Sequence, residues 1–127
     1  ALAQAGHGDY ILLADSNFPS FSKAPEKASI VHLNLAPGIL PVTQVLEILL
    51  EAVPVEAAAV MAMADGQEAP VVADYRKLLP AGLEIQRLER FEFYDTVAGP
   101  RTVLVIATGE QRLYANLLLT VGVVSPA

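Results

Sequence analysis

Few side chains here can move a proton near neutrality, and two of them bracket one apolar run. His7 stands in Gly6-His7-Gly8-Asp9, Asp15 opens Asp15-Ser16-Asn17-Phe18-Pro19, and Tyr10-Ile11-Leu12-Leu13-Ala14 lies between them. An imidazole gives or takes a proton near pH 7, so His7 reads as a general acid or base, or as a group that only caps a helix end. Asp15 reads as an acceptor for ligand hydroxyls or as the cap of its own turn. Arg90 can clamp a ligand oxygen, or lie in water paired with Glu89 or Glu92. Tyr114 and Asn116 flank a bend where side chains and backbone can both face a ligand; otherwise they are a packed tyrosine and a strand-starting asparagine. His32 is a second acid/base group or a strand-surface histidine, and Asp9 caps or pairs locally. Fully extended, the chain from His7 to Asp15 covers roughly 26 Å, so the two share a site only if it turns back at one end.

Several chemistries lose their usual supports. His7 and His32 lie on separate elements, outside any His-x-x-x-His or His-Glu-x-x-His spacing, so no metal site is expected. There is no Gly-x-Gly-x-x-Gly loop, no Walker sequence and no Gly-x-Ser-x-Gly elbow. The chain has no Cys, which removes disulfides and thiolate catalysis and fits a reducing, cytoplasmic compartment. What remains is proton chemistry and polar-ligand recognition by His, Asp, Arg, Tyr and Asn.

The elements that must position these groups alternate between strand and helix. Ile11 to Ala14 is wholly apolar, as in a strand covered on both faces. Leu2 to Ala5 reads as the tail of a helix that begins before Ala1, with Gly6 as its cap. Asp15 to Lys27 is a loop whose Phe18 and Phe21 could pack on a neighbouring subunit. Ser29 to Leu35 is a short strand, and Pro41 opens a helix carrying Val42, Val45, Leu46, Leu49, Leu50 and Val53 on one face, ended by Pro54. Strands are expected over Val55 to Ala64, Glu84 to Leu88, Thr102 to Ala107 and Asn116 to Val121, and helices over Glu68 to Leu79 and Arg90 to Val97. This order predicts a single α/β domain over residues 1–127, a three-layer α/β/α sandwich with a parallel or mixed central sheet.

Composition bounds the partners. The chain is 54% apolar and only 17% charged, against about 25% charged in an average domain. Such a surface suits either a large core or an oligomer with apolar subunit contacts. A net charge of −6 without a basic cluster argues against nucleic acid. No apolar run approaches the length of about 20 residues that spans a bilayer, and no stretch reads as a signal peptide.

Taken as an ordered set, Gly6-His7-Gly8-Asp9, Asp15-Ser16-Asn17-Phe18-Pro19, Arg90-Phe91-Glu92-Phe93-Tyr94, Thr108-Gly109-Glu110 and Tyr114-Ala115-Asn116 resemble the fucose mutarotase / ribose pyranase family over nearly the whole chain. The resemblance implies that His7 donates the catalytic proton and that Asp15, Arg90, Tyr114, Ala115 and Asn116 bind a monosaccharide, with no cofactor. It also implies a ring-shaped homo-oligomer, typically a decamer, with the sugar near subunit contacts. Arg90 with Phe91 and Phe93 is similar to the fucose branch; the ribose branch usually has His at that position. Val55-Glu56-Ala57-Ala58 and Tyr114-Ala115-Asn116 look closer to the ribose branch. The implied reaction is anomer interconversion, most simply of L-fucose. A pyranose/furanose exchange and a non-catalytic monosaccharide-binding protein are the alternatives. The general base stays open between a tyrosine, a water held by Asp15 and a second histidine.

Overall fold

The computed structural model describes residues 6–19, 23–33, 36 and 38–123. Among these, six strands form one sheet in the order β2-β5-β1-β6-β3-β4. The strands are β1 (Tyr10–Ala14), β2 (Ser29–His32), β3 (Val55–Met61), β4 (Ile85–Leu88), β5 (Thr102–Ala107) and β6 (Leu117–Val121). The helices are α1 (Val42–Ala52), α2 (Val72–Leu78) and α3 (Arg90–Ala98). β1 pairs parallel with β5 and antiparallel with β6, β2 runs parallel to β5, and β3 pairs antiparallel with β6 and parallel with β4. Five strands thus point one way and β6 alone is reversed, the mixed α/β/α arrangement expected.

The side-chain period of two divides the core. Ile11 and Leu13 of β1 join Val42, Val45, Leu46 and Leu49 of α1 and Val72 and Tyr75 of α2 on one face. Leu12 and Ala14 join Phe18, Phe93 and Val97 on the other, where α3 lies. β1 is apolar throughout because both of its faces are inside.

Topology then places the site. β5 and β6 are consecutive in sequence, but β1 lies between them in the sheet, so their connection must cross the carboxyl end of β1. Thr108 marks the crossing: its N–H and its hydroxyl both donate to the Ala14 carbonyl, at 3.0 and 2.7 Å. Gly109 comes next, where an added Cβ would come within 2.1 Å of the Ile39 carbonyl oxygen; no other residue fits without moving the backbone before α1.

Some boundaries differ from expectation for local reasons. Pro41 is the N-cap of α1 rather than a residue of its first turn. α2 begins at Val72 rather than Glu68: the N–H groups of Val72 and Ala73 reach the carbonyls of Ala69 and Pro70 three residues back, a tight turn that leads into the helix. Phe18 needs no neighbouring subunit, being buried edge-on against Phe93 and Tyr94 at 6.2 and 5.5 Å. The expected helix tail Leu2–Ala5, Phe21, and the end of the expected strand at Asn34–Leu35 lie outside the described residues.

Candidate functional site

The crossing segment and the turn after β1 bind each other reciprocally. The Asp15 N–H donates to Asn116 Oδ1 at 2.8 Å, and the Ala115 N–H donates to Asp15 Oδ2 at 3.2 Å. The other carboxyl oxygen of Asp15 accepts from the Asn17 N–H at 3.0 Å. Asp15 is only 4% exposed. Burial raises its pKa above the ordinary carboxylate value, and the nearby Glu110 charge pushes the same way, while backbone N–H groups of Ala115, Asn17 and Phe18 hold it down. Asn17 binds one carboxyl oxygen and Ala115 the other, and a carboxylate with about four lone-pair sites keeps capacity for a further donor. With Oδ1 taken by the Asp15 amide, Asn116 offers its NH2 donors.

Tyr114 enters this segment with φ 58°, a left-handed conformation costing roughly 1–2 kcal/mol for a residue with a side chain. The strain is tolerated because the hydrogen bonds of Ala115 and Asn116 pin the chain immediately after it.

These groups open onto a cavity of about 230 Å³ lined by Asp15, Asn17, Phe18, Met61, Arg90, Tyr94, Leu113, Tyr114 and Asn116. That is the room of about eight waters at roughly 30 Å³ each, enough for a small polar molecule. The cavity lies at the carboxyl ends of β1, β3 and β4 and the amino end of β6, where open α/β sheets commonly bind ligands. Arg90 arrives as the first residue of α3, whose N-cap Glu89 accepts from the N–H groups of Phe91 and Glu92 at 3.0 and 3.2 Å. Among the described residues its guanidinium pairs with neither Glu89 nor Glu92; it lies 5.7 Å from the Tyr94 ring centre and 5.9 Å from that of Phe91. It lies at the mouth of the cavity, open to water and held beside Tyr94.

Behind the cavity stands a cluster that sequence reasoning missed. Glu110 is buried, and its carboxylate accepts from Arg112 Nε and Nη2 at 3.0 and 2.9 Å and from the Val42 N–H at the start of α1 at 3.3 Å. Burial alone would raise the Glu110 pKa; the Arg112 side chain, the Arg112 N–H and the Val42 N–H outweigh it, and the net shift is downward. Arg112 also donates to Asp74 at 3.0 Å. Tyr75 of α2, fully buried, donates its hydroxyl to the Ala115 carbonyl. Neither Tyr75 nor Arg112 was singled out from the sequence; the signal available was Thr108-Gly109-Glu110, whose glycine permits the crossing.

Five of the six residues singled out from the sequence therefore meet: Asp15, Arg90, Tyr114 and Asn116 line the cavity, and Ala115 holds Asp15. His7 does not join them within one chain. It lies beyond the amino end of β1, at the opposite edge of the sheet, and the five residue steps from Tyr10 to Asp15 alone cover about 17 Å. There its Nε2 meets Glu56 Oε1 at 2.9 Å, with both side chains substantially exposed. The turn carrying it is well fixed: the Gly8 N–H donates to the Val121 carbonyl, the Gly6 N–H to Asp9 Oδ2, and Arg101 Nε to the Gly8 carbonyl. His32 lies exposed on edge strand β2, away from the cavity lining.

An open α/β sheet with a small cavity of polar and apolar side chains at the carboxyl ends of its strands is the architecture of small-ligand-binding α/β proteins. More particularly, the chain belongs to the RbsD / FucU transport protein family, whose model matches residues 1–124. It is 36% identical to the fucose mutarotase of Homo sapiens over 138 residues, covering 98% of this chain and 86% of that one. Among solved structures it is similar to Bacillus subtilis RbsD complexed with D-ribose, with 29% identity, a TM-score of 0.83, and coverage of 98% of this chain and 89% of that one. It is also similar to the fucose mutarotase of Streptococcus pneumoniae in complex with L-fucose, with 31% identity, a TM-score of 0.81 and the same coverage. The family expected from the ordered segments is the one these comparisons give.

Proposed function

We propose that the protein is a monosaccharide mutarotase, an isomerase that interconverts the anomers of a reducing sugar, with L-fucose as its preferred substrate. The observation that carries this reading is the buried Asp15 carboxylate beside Asn116 and Arg90 in one small cavity. Asp15 accepts from sugar hydroxyls, and Asn116 and Arg90 donate to them. Phe18, Met61 and Leu113 give the same cavity an apolar wall, suited to the methyl group of a deoxy sugar.

The chemistry needs only protons. An acid protonates the ring oxygen while a base removes the proton of the anomeric hydroxyl. The ring C–O bond breaks, the aldehyde forms, the C1–C2 bond rotates, and closure on the other face returns both protons. His7 is the acid. Because it sits at the far edge of its own sheet, it acts on sugar held by another copy of the chain. The copies assemble into a ring-like homo-oligomer, taken as a decamer, in the cytoplasm. The low charge fraction and the exposed Ile48, Phe91 and Leu113 are consistent with such contacts.

The separation of His7 from the cavity also favours a second reading, a protein that binds a monosaccharide without turning it over. Pyranose/furanose exchange of ribose by the same ring opening is a variant of the first. Saturation-transfer NMR between the anomers of L-fucose and D-ribose decides among them. Accelerated exchange supports the mutarotase; thermal stabilisation by sugar with exchange at the buffer rate supports the binding protein. No effect of either sugar, or of their relatives, removes both.

A further inference from the structure

Asp15 can serve a ligand only while its carboxyl oxygens keep the directions set by the N–H groups of Asn17 and Ala115. Asn17 belongs to the same turn. Ala115 is 100 positions away, outside any strand, and comes directly after a residue held in the left-handed region. Besides its own bond to Asp15 and the Arg112 contact with Asp74 of α2, two contacts hold the chain at Ala115 and Asn116. One is the Asn116 bond to the Asp15 N–H. The other comes from α2, where the Tyr75 hydroxyl donates to the Ala115 carbonyl. Tyr75 is fully buried in an otherwise apolar cluster. A phenylalanine would fill that space as well, and the added hydroxyl is acceptable there because it finds an acceptor. That acceptor belongs to the very residue whose N–H holds Asp15.

We propose that Tyr75 is a positioning residue for the cavity: its hydroxyl fixes Ala115, and through the Ala115 N–H it fixes the Asp15 carboxylate in the geometry that accepts a sugar hydroxyl. The affinity part rests on the mutarotase reading; the link from Tyr75 to Asp15 does not. The ionisable groups around Asp15 are Glu110 after β5, Arg90 and Tyr94 from α3, Tyr114 on the crossing segment and Tyr75 itself. Burial is what chiefly opposes the Asp15 charge, and the Ala115 N–H is the leading group that favours it. Freeing Ala115 therefore moves Asp15 ionisation to higher pH.

The test is Tyr75→Phe, which keeps the ring and removes the donor, with Val45→Ala as a control that loosens the same core from α1. In sugar-free protein, the Ala115 amide resonance is followed against pH. Its midpoint is expected at higher pH in Tyr75→Phe and unmoved in Val45→Ala. In exchange assays Tyr75→Phe is expected to raise KM about 5- to 30-fold, the factor that accompanies loss of one buried bond, with kcat unchanged, while Val45→Ala keeps the wild-type KM. An unmoved Ala115 midpoint in Tyr75→Phe overturns the proposal, as does a control that reproduces both changes. A wild-type protein that exchanges no sugar removes the mutarotase reading, and the amide titration still decides the link from Tyr75 to Asp15.

Discussion

At the carboxyl end of β1 the polar groups are buried and each is answered: Asp15 by two backbone N–H groups, Asn116 by the Asp15 amide, Glu110 by Arg112 and Val42. At the amino end the charged pair faces water. His7 and Glu56 are 59% and 45% exposed by side chain and hold each other across one contact. The same strand thus joins a preformed pocket to an imidazole presented outward. In low-dielectric surroundings the upper edge fixes direction and charge before a ligand arrives. The lower edge fixes only the backbone of the turn and leaves its reactive side chain accessible to another molecule. On the proposed mutarotase reading, binding and proton delivery are built at separate places on the chain.

The comparison breaks most visibly at His7. Replacing His7 by Ala is expected to slow anomer exchange by about 10²- to 10⁴-fold, the usual contribution of one positioned proton donor, while sugar still raises the melting temperature as in the wild type. Saturation-transfer NMR and thermal melts measure the two halves. Equal loss of binding and exchange would show that the edges are not separable. The converse variant is Asp15→Asn, where the amide NH2 must face a backbone N–H that the carboxylate accepted. Sugar affinity is expected to fall about tenfold to a hundredfold, matching roughly 1.5–3 kcal/mol for a hydrogen bond to a charged group, read by titration calorimetry. In the wild type, binding that needs ionised Asp15 is lost as pH falls. It is lost at a higher pH than for an ordinary carboxylate, because burial raises the pKa.

How much of this the sequence revealed depends on which interactions are local. β1 and β5 were legible because burial on both faces makes a strand a nearly continuous apolar run, and α1 because Pro41 and Pro54 bracket a helical stripe. The start of α2 was not, since Glu68 and Ala69 have ordinary helix-compatible side chains and only the turn around Pro70 decides. That β6 runs antiparallel between β1 and β3 is a matter of long-range pairing, on which the spacing of apolar residues is silent. This placement carries Tyr114, Ala115 and Asn116 to Asp15 and leaves His7 behind. The ordered segments named those residues, and the apolar run between His7 and Asp15, roughly 26 Å when extended, already set the two at opposite ends of one strand unless the chain turned back; only the structure shows that within one chain it does not bring them together.

A smaller effect sharpens the account of the buried edge. Glu110→Gln keeps the shape but loses the charge that answers Arg112 and the amino end of α1. A cost of about 1–3 kcal/mol is expected at neutral pH, toward the lower end because Arg112 is itself 44% exposed and water screens it. The sign with pH is set by the lowered Glu110 pKa. The wild-type advantage is present above the unfolded carboxyl value, near 4.5, and fades as pH falls through the lower folded value. Urea melts of both proteins at neutral and acid pH should therefore converge on the acid side. A constant gap would mean that the side chain contributes packing alone.

The smallest expected effect lies at the exposed edge, and it is the most direct measure of how unlike the two edges are. Glu56→Gln removes the carboxylate facing His7 without changing the size of the side chain. The pair is ionic only while His7 is protonated, and both groups stand largely in water. The loss in stability should therefore stay within about 1 kcal/mol, as for other exposed pairs, and should shrink further in high salt. The turn itself does not depend on Glu56, since Gly6, Gly8 and Asp9 are tied by backbone bonds and Arg101. Paired urea melts at low and high salt measure this. A loss of several kcal/mol would mean that His7 is anchored as firmly as Asp15, and the contrast between a prebuilt pocket and an outward imidazole would no longer hold.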